Sequence, residues 1–164
     1  MGTGIQGVHH IGISVPDIGK AREFYIGLLG AVEEVAPMAW RDNEFIDAVV
    51  GLKRSAARQF ICRLGNTHLE VFEYENPRSA PQDPDRGVHN FGYTHFALQV
   101  DDIAAIQERL AAAGVRFHTP ADATTINTHT DGRKTGYSAT YCRDWFGNVF
   151  EIMEIHECDD MKRV

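Results

Sequence analysis

Four residues of this chain combine side-chain type and spacing in a way that suits metal chemistry: His10, Glu70, His95 and Glu151. Each lies in an apolar, alternating stretch, and they recur as two matched pairs. His10-Ile-Gly-Ile-Ser-Val15-Pro-Asp17 lines up position for position with His95-Phe-Ala-Leu-Gln-Val100-Asp-Asp102. His68-Leu-Glu70-Val-Phe-Glu73 corresponds in the same way to Val149-Phe-Glu151-Ile-Met-Glu154. Glu70 follows His10 by 60 residues and Glu151 follows His95 by 56. A carboxylate inside an apolar strand is costly to bury unless it is paired or bound to a metal. Two imidazoles with two carboxylates suit one divalent ion such as Zn, Ni, Co, Fe or Mn, and suit Mg or Ca alone less well. Taken singly, a strand histidine or glutamate is more often structural; recurrence in both halves is what singles these four out. His9 is the rival of His10 but falls on the opposite strand face by alternation, and His68 shares the Glu70 face as a supporting or alternative ligand.

The repeat also defines the elements that must position these groups. In each half an alternating strand ends before an Asp suited to cap a helix. The first helix is predicted from about Ile18 to Leu29, with Ala21, Phe24, Tyr25 and Leu28 on one face and a stop at Gly30. The second runs from about Asp102 to Ala113, with Ile103, Ile106 and Leu110 inward and a stop at Gly114. Short β runs follow: 31–35, 59–64 and 67–74 in the first half, 115–118, 137–143 and 148–155 in the second. The fold class is α+β, two tandem βαβββ modules at 7–75 and 92–156, with 76–91, rich in proline, as linker. Residues 42–58 fit this pattern least well. The Thr-, Asp- and Gly-rich stretch 119–136 reads either as a lid over a site or as a plain surface loop.

Alternation places Ile11, Ile13 and Val15 against the helix and turns His10, Gly12 and Ser14 the other way; His95 follows the same parity. On the later strands Glu70 shares its face with Phe72, and Glu151 with Val149 and Met153, an apolar lining equally suited to core.

Composition bounds the function. At 164 residues with 43% hydrophobic content the chain can bury a core unaided. A formal charge of −7 without a dense Lys/Arg run offers nothing to nucleic acid or an anionic membrane, so a small molecule is the expected partner. No signal-peptide pattern or long apolar run stands out, and a cytoplasmic protein is expected. Cys62, Cys142 and Cys158 are too far apart in sequence for a disulfide framework or a clustered zinc site and read as reduced thiols. Arg133, Lys134 and Arg143 read as surface charge, with an anion-binding role as the alternative.

The stretches VHHIGISVPDIGKAREFYIGLLG and YCRDWFGNVFEIME resemble the opening and closing signatures of the vicinal oxygen chelate superfamily, which includes glyoxalase I, methylmalonyl-CoA epimerase, fosfomycin-resistance proteins and extradiol dioxygenases. The resemblance spans about Val8 to Ile155. It implies paired modules forming a cupped mixed sheet around a metal, with His10, Glu70, His95 and Glu151 as ligands, and a homodimer. The ligand set is similar to that of bacterial glyoxalase I; the epimerase typically has Gln where Glu70 stands. Asp144-Trp-Phe-Gly-Asn148 replaces the Asp-Pro-Asp-Gly of many relatives. The expected activity is a metal-dependent isomerase or lyase that moves a proton next to a carbonyl of a small substrate, with Glu151 as base and Glu70 as the symmetric alternative. An iron-dependent extradiol-type dioxygenase and a non-catalytic binding or resistance protein are the alternatives. Glu70, as a fourth ligand, counts against the dioxygenase, and the ligand set itself counts against the binding protein.

Overall fold

The computed structural model describes residues 3–120 and 124–164. Its contacts divide the chain into two compact units, Met1–Pro81 and Gln82–Val164. No helix among the described residues is long and apolar enough to cross a membrane.

In the first unit, strand β1 (His10–Ser14) leads into helix α1 (Ile18–Arg22), which continues as a π-helical turn (Glu23–Leu28). Then come β2 (Val32–Arg41), helix α2 (Glu44–Val50), β3 (Ala56–Leu64) and β4 (Thr67–Asn76). The sheet order is β1-β4-β3-β2, with β1 parallel to β4 and the other pairs antiparallel. The second unit repeats the plan: β5 (Phe96–Gln99), helix α3 (Ile103–Ala112), β6 (Arg116–Phe117), a small hairpin of β7 (Asn127–Thr128) and β8 (Lys134–Thr135), then β9 (Tyr137–Arg143) and β10 (Val149–Ile155). Its order is β5-β10-β9-β6, again with one parallel pair, β5 with β10. Two mixed α+β sheet modules are therefore present, as the repeat predicts.

The helices start where the aspartates place them. The side chain of Asp17 accepts from the Lys20 N–H at 3.0 Å and that of Asp102 from the Ala105 N–H at 2.9 Å, each satisfying one orphan amide of a first turn. A second carboxylate reaches each helix from the sheet. Glu73 on β4 accepts the Ile18 N–H at 2.8 Å, and Glu154 on β10 accepts the Ile103 N–H at 2.9 Å. Both sit at the positive end of a helix, where a carboxylate is stabilising. Between helix and sheet lie Ile13, Val15, Phe24, Tyr25, Leu69 and Val71 in one unit and Leu110, Cys142, Phe150 and Ile152 in the other, all buried.

Four features depart from the sequence reading. The first helix widens into a π turn after Arg22, with the Leu29 N–H donating to the Phe24 carbonyl at 2.9 Å. Fewer degrees of rotation per residue let the adjacent Phe24 and Tyr25 both turn inward, at 0% and 1% exposure. Strand β2 continues to Arg41, six residues past the predicted end at Val35, through register shifts on either side of Val35. Pro37 is accommodated because β2 is an edge strand. Residues 44–50 form α2, which no apolar periodicity announces because the helix buries none of its residues. It is held by polar groups instead: Asn43 caps Ile46 at 3.1 Å, and Asp47 accepts from the backbone N–H of Arg54 at 2.7 Å and of Ser55 at 2.8 Å. Lastly, the described part of 119–136 is a hairpin tied to the chain after β10, with Arg133 Nη1 3.0 Å from Glu157, the Gly136 N–H donating to Glu157 O at 3.1 Å and the His156 N–H to Gly136 O at 2.9 Å. It is anchored rather than hung free as a lid; residues 121–123 of the stretch lie outside the described residues.

Candidate metal centre

The β1/β4 register aligns His10 with His68 and Gly12 with Glu70. A strand side chain alternates faces, so His10, Gly12 and Glu70 all turn away from α1. His10 Nε2 lies 3.1 Å from Glu70 Oε2. In the second unit β5 and β10 align Ala97 with Glu151, the equivalent register, and His95 Nε2 lies 3.2 Å from Glu151 Oε2. Gly12 and Ala97 occupy matching positions, and their small size leaves room over each glutamate. The pairs are partly exposed, with side-chain exposures of 41% and 19% for His10 and Glu70 and 25% and 15% for His95 and Glu151.

This spacing fits a shared ion. Zinc takes imidazole nitrogen and carboxylate oxygen at about 2.0–2.2 Å, so two donors subtending roughly a right angle stand about 3 Å apart. Each unit thus brings together the two residues that the repeat pairs, His10 with Glu70 and His95 with Glu151. Within either unit, no group of three or more His, Cys, Asp or Glu among the described residues is gathered for an ion.

The other histidines sort differently. His68 Nε2 lies 3.2 Å from Glu34 Oε2 and so supports Glu34 rather than the Glu70 carboxylate. Arg63 also donates to Glu34, at 2.6 Å, and these two hydrogen bonds are the main reason its carboxyl sits below the usual range. His9 departs from simple alternation because β1 begins only at His10. Its ring stacks on His68 at 5.4 Å, and its Nδ1 lies 2.8 Å from His10 Nδ1. In the second unit Thr94 Oγ1 lies 2.9 Å from His95 Nδ1.

Sequence reasoning placed Phe72 on the Glu70 face but did not single out Tyr141, Tyr74 or Trp40. Tyr141 is the cross-strand partner of Glu151, and its ring centroid lies 4.4 Å from that of His95. The turn 144–148 sets that register: Asp144 Oδ1 accepts from the backbone N–H of Phe146 and Asn148, both at 2.8 Å, closing the β9/β10 hairpin so that Arg143 faces Val149. Counting back from this Asx turn would have found Tyr141. In the first unit Phe72 stacks on Tyr74 at 5.7 Å and Trp40 meets both rings edge-on at about 6 Å. Burial, reinforced by the charge of Glu70, pushes the Tyr74 phenol above its usual range.

The basic residues are structural. Arg143 is 7% exposed, contrary to a surface reading, and donates to the carbonyls of Gly147 at 2.9 Å and Arg86 at 2.7 Å. Lys134 pairs with Glu154 at 3.2 Å. With Arg116, His118 and His89, Arg143 lines an open cavity of about 520 Å³ in the second unit. Cys62 and Cys142 are buried, and burial pushes the Cys62 thiol up to about 11 and the Cys142 thiol higher still.

Residues 7–152 match the family model described as Glyoxalase/Bleomycin resistance protein/Dioxygenase superfamily. The chain belongs to this superfamily. Among curated proteins, this glyoxalase-superfamily chain is 34% identical over 168 residues to a 2-epi-5-epi-valiolone epimerase of Actinomyces sp., covering 94% of the chain and 84% of the relative. Among solved structures, it resembles a glyoxalase family protein from Bacillus cereus with a TM-score of 0.76 at 18% identity, covering 93% and 95% of the two chains. It also resembles the fosfomycin resistance protein FosX of Listeria monocytogenes, crystallised with Mn(II) and sulfate, with a TM-score of 0.56 at 18% identity over 92% and 93%. These structural likenesses concern the glyoxalase-superfamily fold alone.

Proposed function

We propose that this protein is a divalent-metal-dependent isomerase of the epimerase kind, acting at a carbon beside a carbonyl of a small substrate, with His10, Glu70, His95 and Glu151 as the metal ligands. The observation that carries the reading is the repeated His–Glu pair, held in the same register and at 3.1 and 3.2 Å in the two units. The epimerase relative supports the reaction class, and the Mn(II) in the FosX crystals supports the kind of ion.

A divalent ion held by these donors supplies Lewis acidity toward a substrate carbonyl, which acidifies the neighbouring C–H. Glu151 is the base: its cross-strand partner is Tyr141, and the neighbouring His95 lies 3.2 Å from its carboxylate. Inversion requires the proton to return from the other face, and Glu70 is the counterpart carboxylate for that transfer. Phe72, two residues on from Glu70 in β4, packs against the rings of Tyr74 and Trp40.

The test is metal analysis by mass spectrometry on untagged protein, followed by incubation with 2-epi-5-epi-valiolone in D₂O. About one transition-metal ion per chain, lost in Glu70→Gln, Glu151→Gln and His95→Ala, and deuterium uptake at a carbon next to the carbonyl are the expected results. Protein that stays metal-free after exposure to Mn, Co, Ni and Zn refutes the reading.

A further inference from the structure

We propose that the residue immediately before each ligand histidine, His9 before His10 and Thr94 before His95, is a positioning residue that holds the imidazole Nδ1 edge so that Nε2 faces the glutamate. The inference rests on the metal reading above and extends it to two residues outside the ligand set. The side-chain torsion that turns an imidazole is broad and nearly two-fold, so little intrinsic preference decides which edge faces a site. His10 and His95 are partly exposed, and water could serve either ring edge. In both units the same solution appears. His10 Nδ1 lies 2.8 Å from His9 Nδ1 while its Nε2 lies 3.1 Å from Glu70, and His95 Nδ1 lies 2.9 Å from Thr94 Oγ1 while its Nε2 lies 3.2 Å from Glu151.

The two positioning groups are chemically unlike, an imidazole and a hydroxyl, so identity of residue type is not what the repeat shares. Both can donate or accept a hydrogen bond. That property matches what the site demands. With Nε2–H directed at the glutamate, Nδ1 needs a donor; with the Nε2 lone pair committed to an ion, the proton sits on Nδ1 and needs an acceptor. A group able to do both serves the free and the loaded form without moving. His9 is itself braced, its ring stacked at 14° on His68, whose Nε2 reaches Glu34 at 3.2 Å, with Glu34 fixed by Arg63. Thr94 needs no such brace because its β-branched side chain is short and stiff.

The experiment compares wild type with Thr94→Val, which keeps the shape and removes the oxygen, Thr94→Ser, which restores it, and His9→Phe, which keeps a ring on His68 and removes the nitrogen. Cobalt(II) is the probe, its affinity read by competition with a chromophoric chelator and its geometry by visible absorption. Thr94→Val and His9→Phe are expected to bind about 10- to 100-fold more weakly, the range for loss of a group that orients a ligand histidine; Thr94→Ser stays near wild type. Equal affinity in all four overturns the inference while the metal reading stands. If wild type takes up no cobalt, the metal reading falls, and the imidazole ¹⁵N shifts of His95 in the metal-free protein decide the inference by themselves. One tautomer in wild type that becomes a mixture in Thr94→Val upholds the positioning role; the same pattern in both overturns it.

Discussion

Replacing Glu154 by Gln removes a buried charge that three donors share while keeping the side chain's shape. Glu154 is 3% exposed; its Oε2 accepts the Ile103 N–H at 2.9 Å, and its Oε1 lies 3.2 Å from Lys134 Nζ and 2.6 Å from His156 Nε2. A Gln carbonyl can still receive the helix amide, but its NH₂ then faces the other two donors. A hydrogen bond to a charged acceptor is worth about 1.5–3 kcal/mol in all, the carboxylate at the helix N-terminus adds about 0.3–1 kcal/mol, and the half-exposed Lys134 adds at most about 1 kcal/mol. Because one acceptor survives, the expected net loss is about 2–4 kcal/mol, or roughly 5–15 °C in Tm for a chain of this size. Urea denaturation at several pH values is the assay. Burial opposes ionisation of Glu154 most strongly, yet the Ile103 amide, His156 and Lys134 together hold its carboxyl below the ordinary value. A group lowered in the folded state contributes stability that is complete above its unfolded value, about 4.3 for Glu, and is lost as pH falls through the folded value. Wild type and Glu154→Gln are therefore expected to differ fully at pH 7 and to converge in acid, as pH falls from the unfolded value through the lowered folded one. A difference under about 0.5 kcal/mol at pH 7, the ordinary range for surface changes, or a difference that persists in acid, refutes the reasoning.

Other perturbations test other parts of the molecule. Ser55→Ala leaves the Trp40 indole N–H, now 2.8 Å from Ser55 Oγ in a buried site, without its acceptor and costs about 1–3 kcal/mol by denaturant titration; a neutral result would mean that this bond is not held in solution. In native protein a thiol reagent is expected to label Cys158 quickly, while Cys62 and Cys142, both 0% exposed with raised thiol values, react only on unfolding. Gly147→Ala combines a φ of +92° with a Cβ placed 2.9 Å from the Pro84 Cα, so a loss of more than about 1 kcal/mol is expected, and a stable variant would contradict the close approach.

Much of this architecture is legible in the sequence because the repeat supplies an internal comparison. The Asp17 and Asp102 caps, the strand parity of His10 and His95, and the burial of Ile13, Val15, Ile103 and Leu110 all follow from local rules applied twice. What escaped those rules depends on partners distant in sequence or on polar stabilisation. Helix α2 has no apolar stripe, since Phe45 and Val49 are 77% and 69% exposed, and its support comes from Asn43 and Asp47. Glu73 and Glu154 stand in the matched motifs, but their role as helix caps across 55 and 51 residues is visible only once strand and helix are packed. Arg143 looks like any surface arginine until the chain around Arg86 is seen to lean on it. The π turn follows from two adjacent large side chains, Phe24 and Tyr25, that both need burial, which periodicity alone does not foresee.

The same short strand segment carries two glutamates three residues apart in each unit, Glu70 with Glu73 and Glu151 with Glu154. An odd separation on a strand sends them to opposite sides of the sheet, one toward the candidate ligand histidine and the other to the helix terminus. A slip of one residue in the pairing of β4 or β10 would exchange these destinations. The carboxylate meant for the open side would be driven into the hydrocarbon interior, and the helix would lose its anchor in the same event. Misalignment is thereby penalised twice by a single error, which pins the register of these segments and the side of the sheet on which each carboxylate stands.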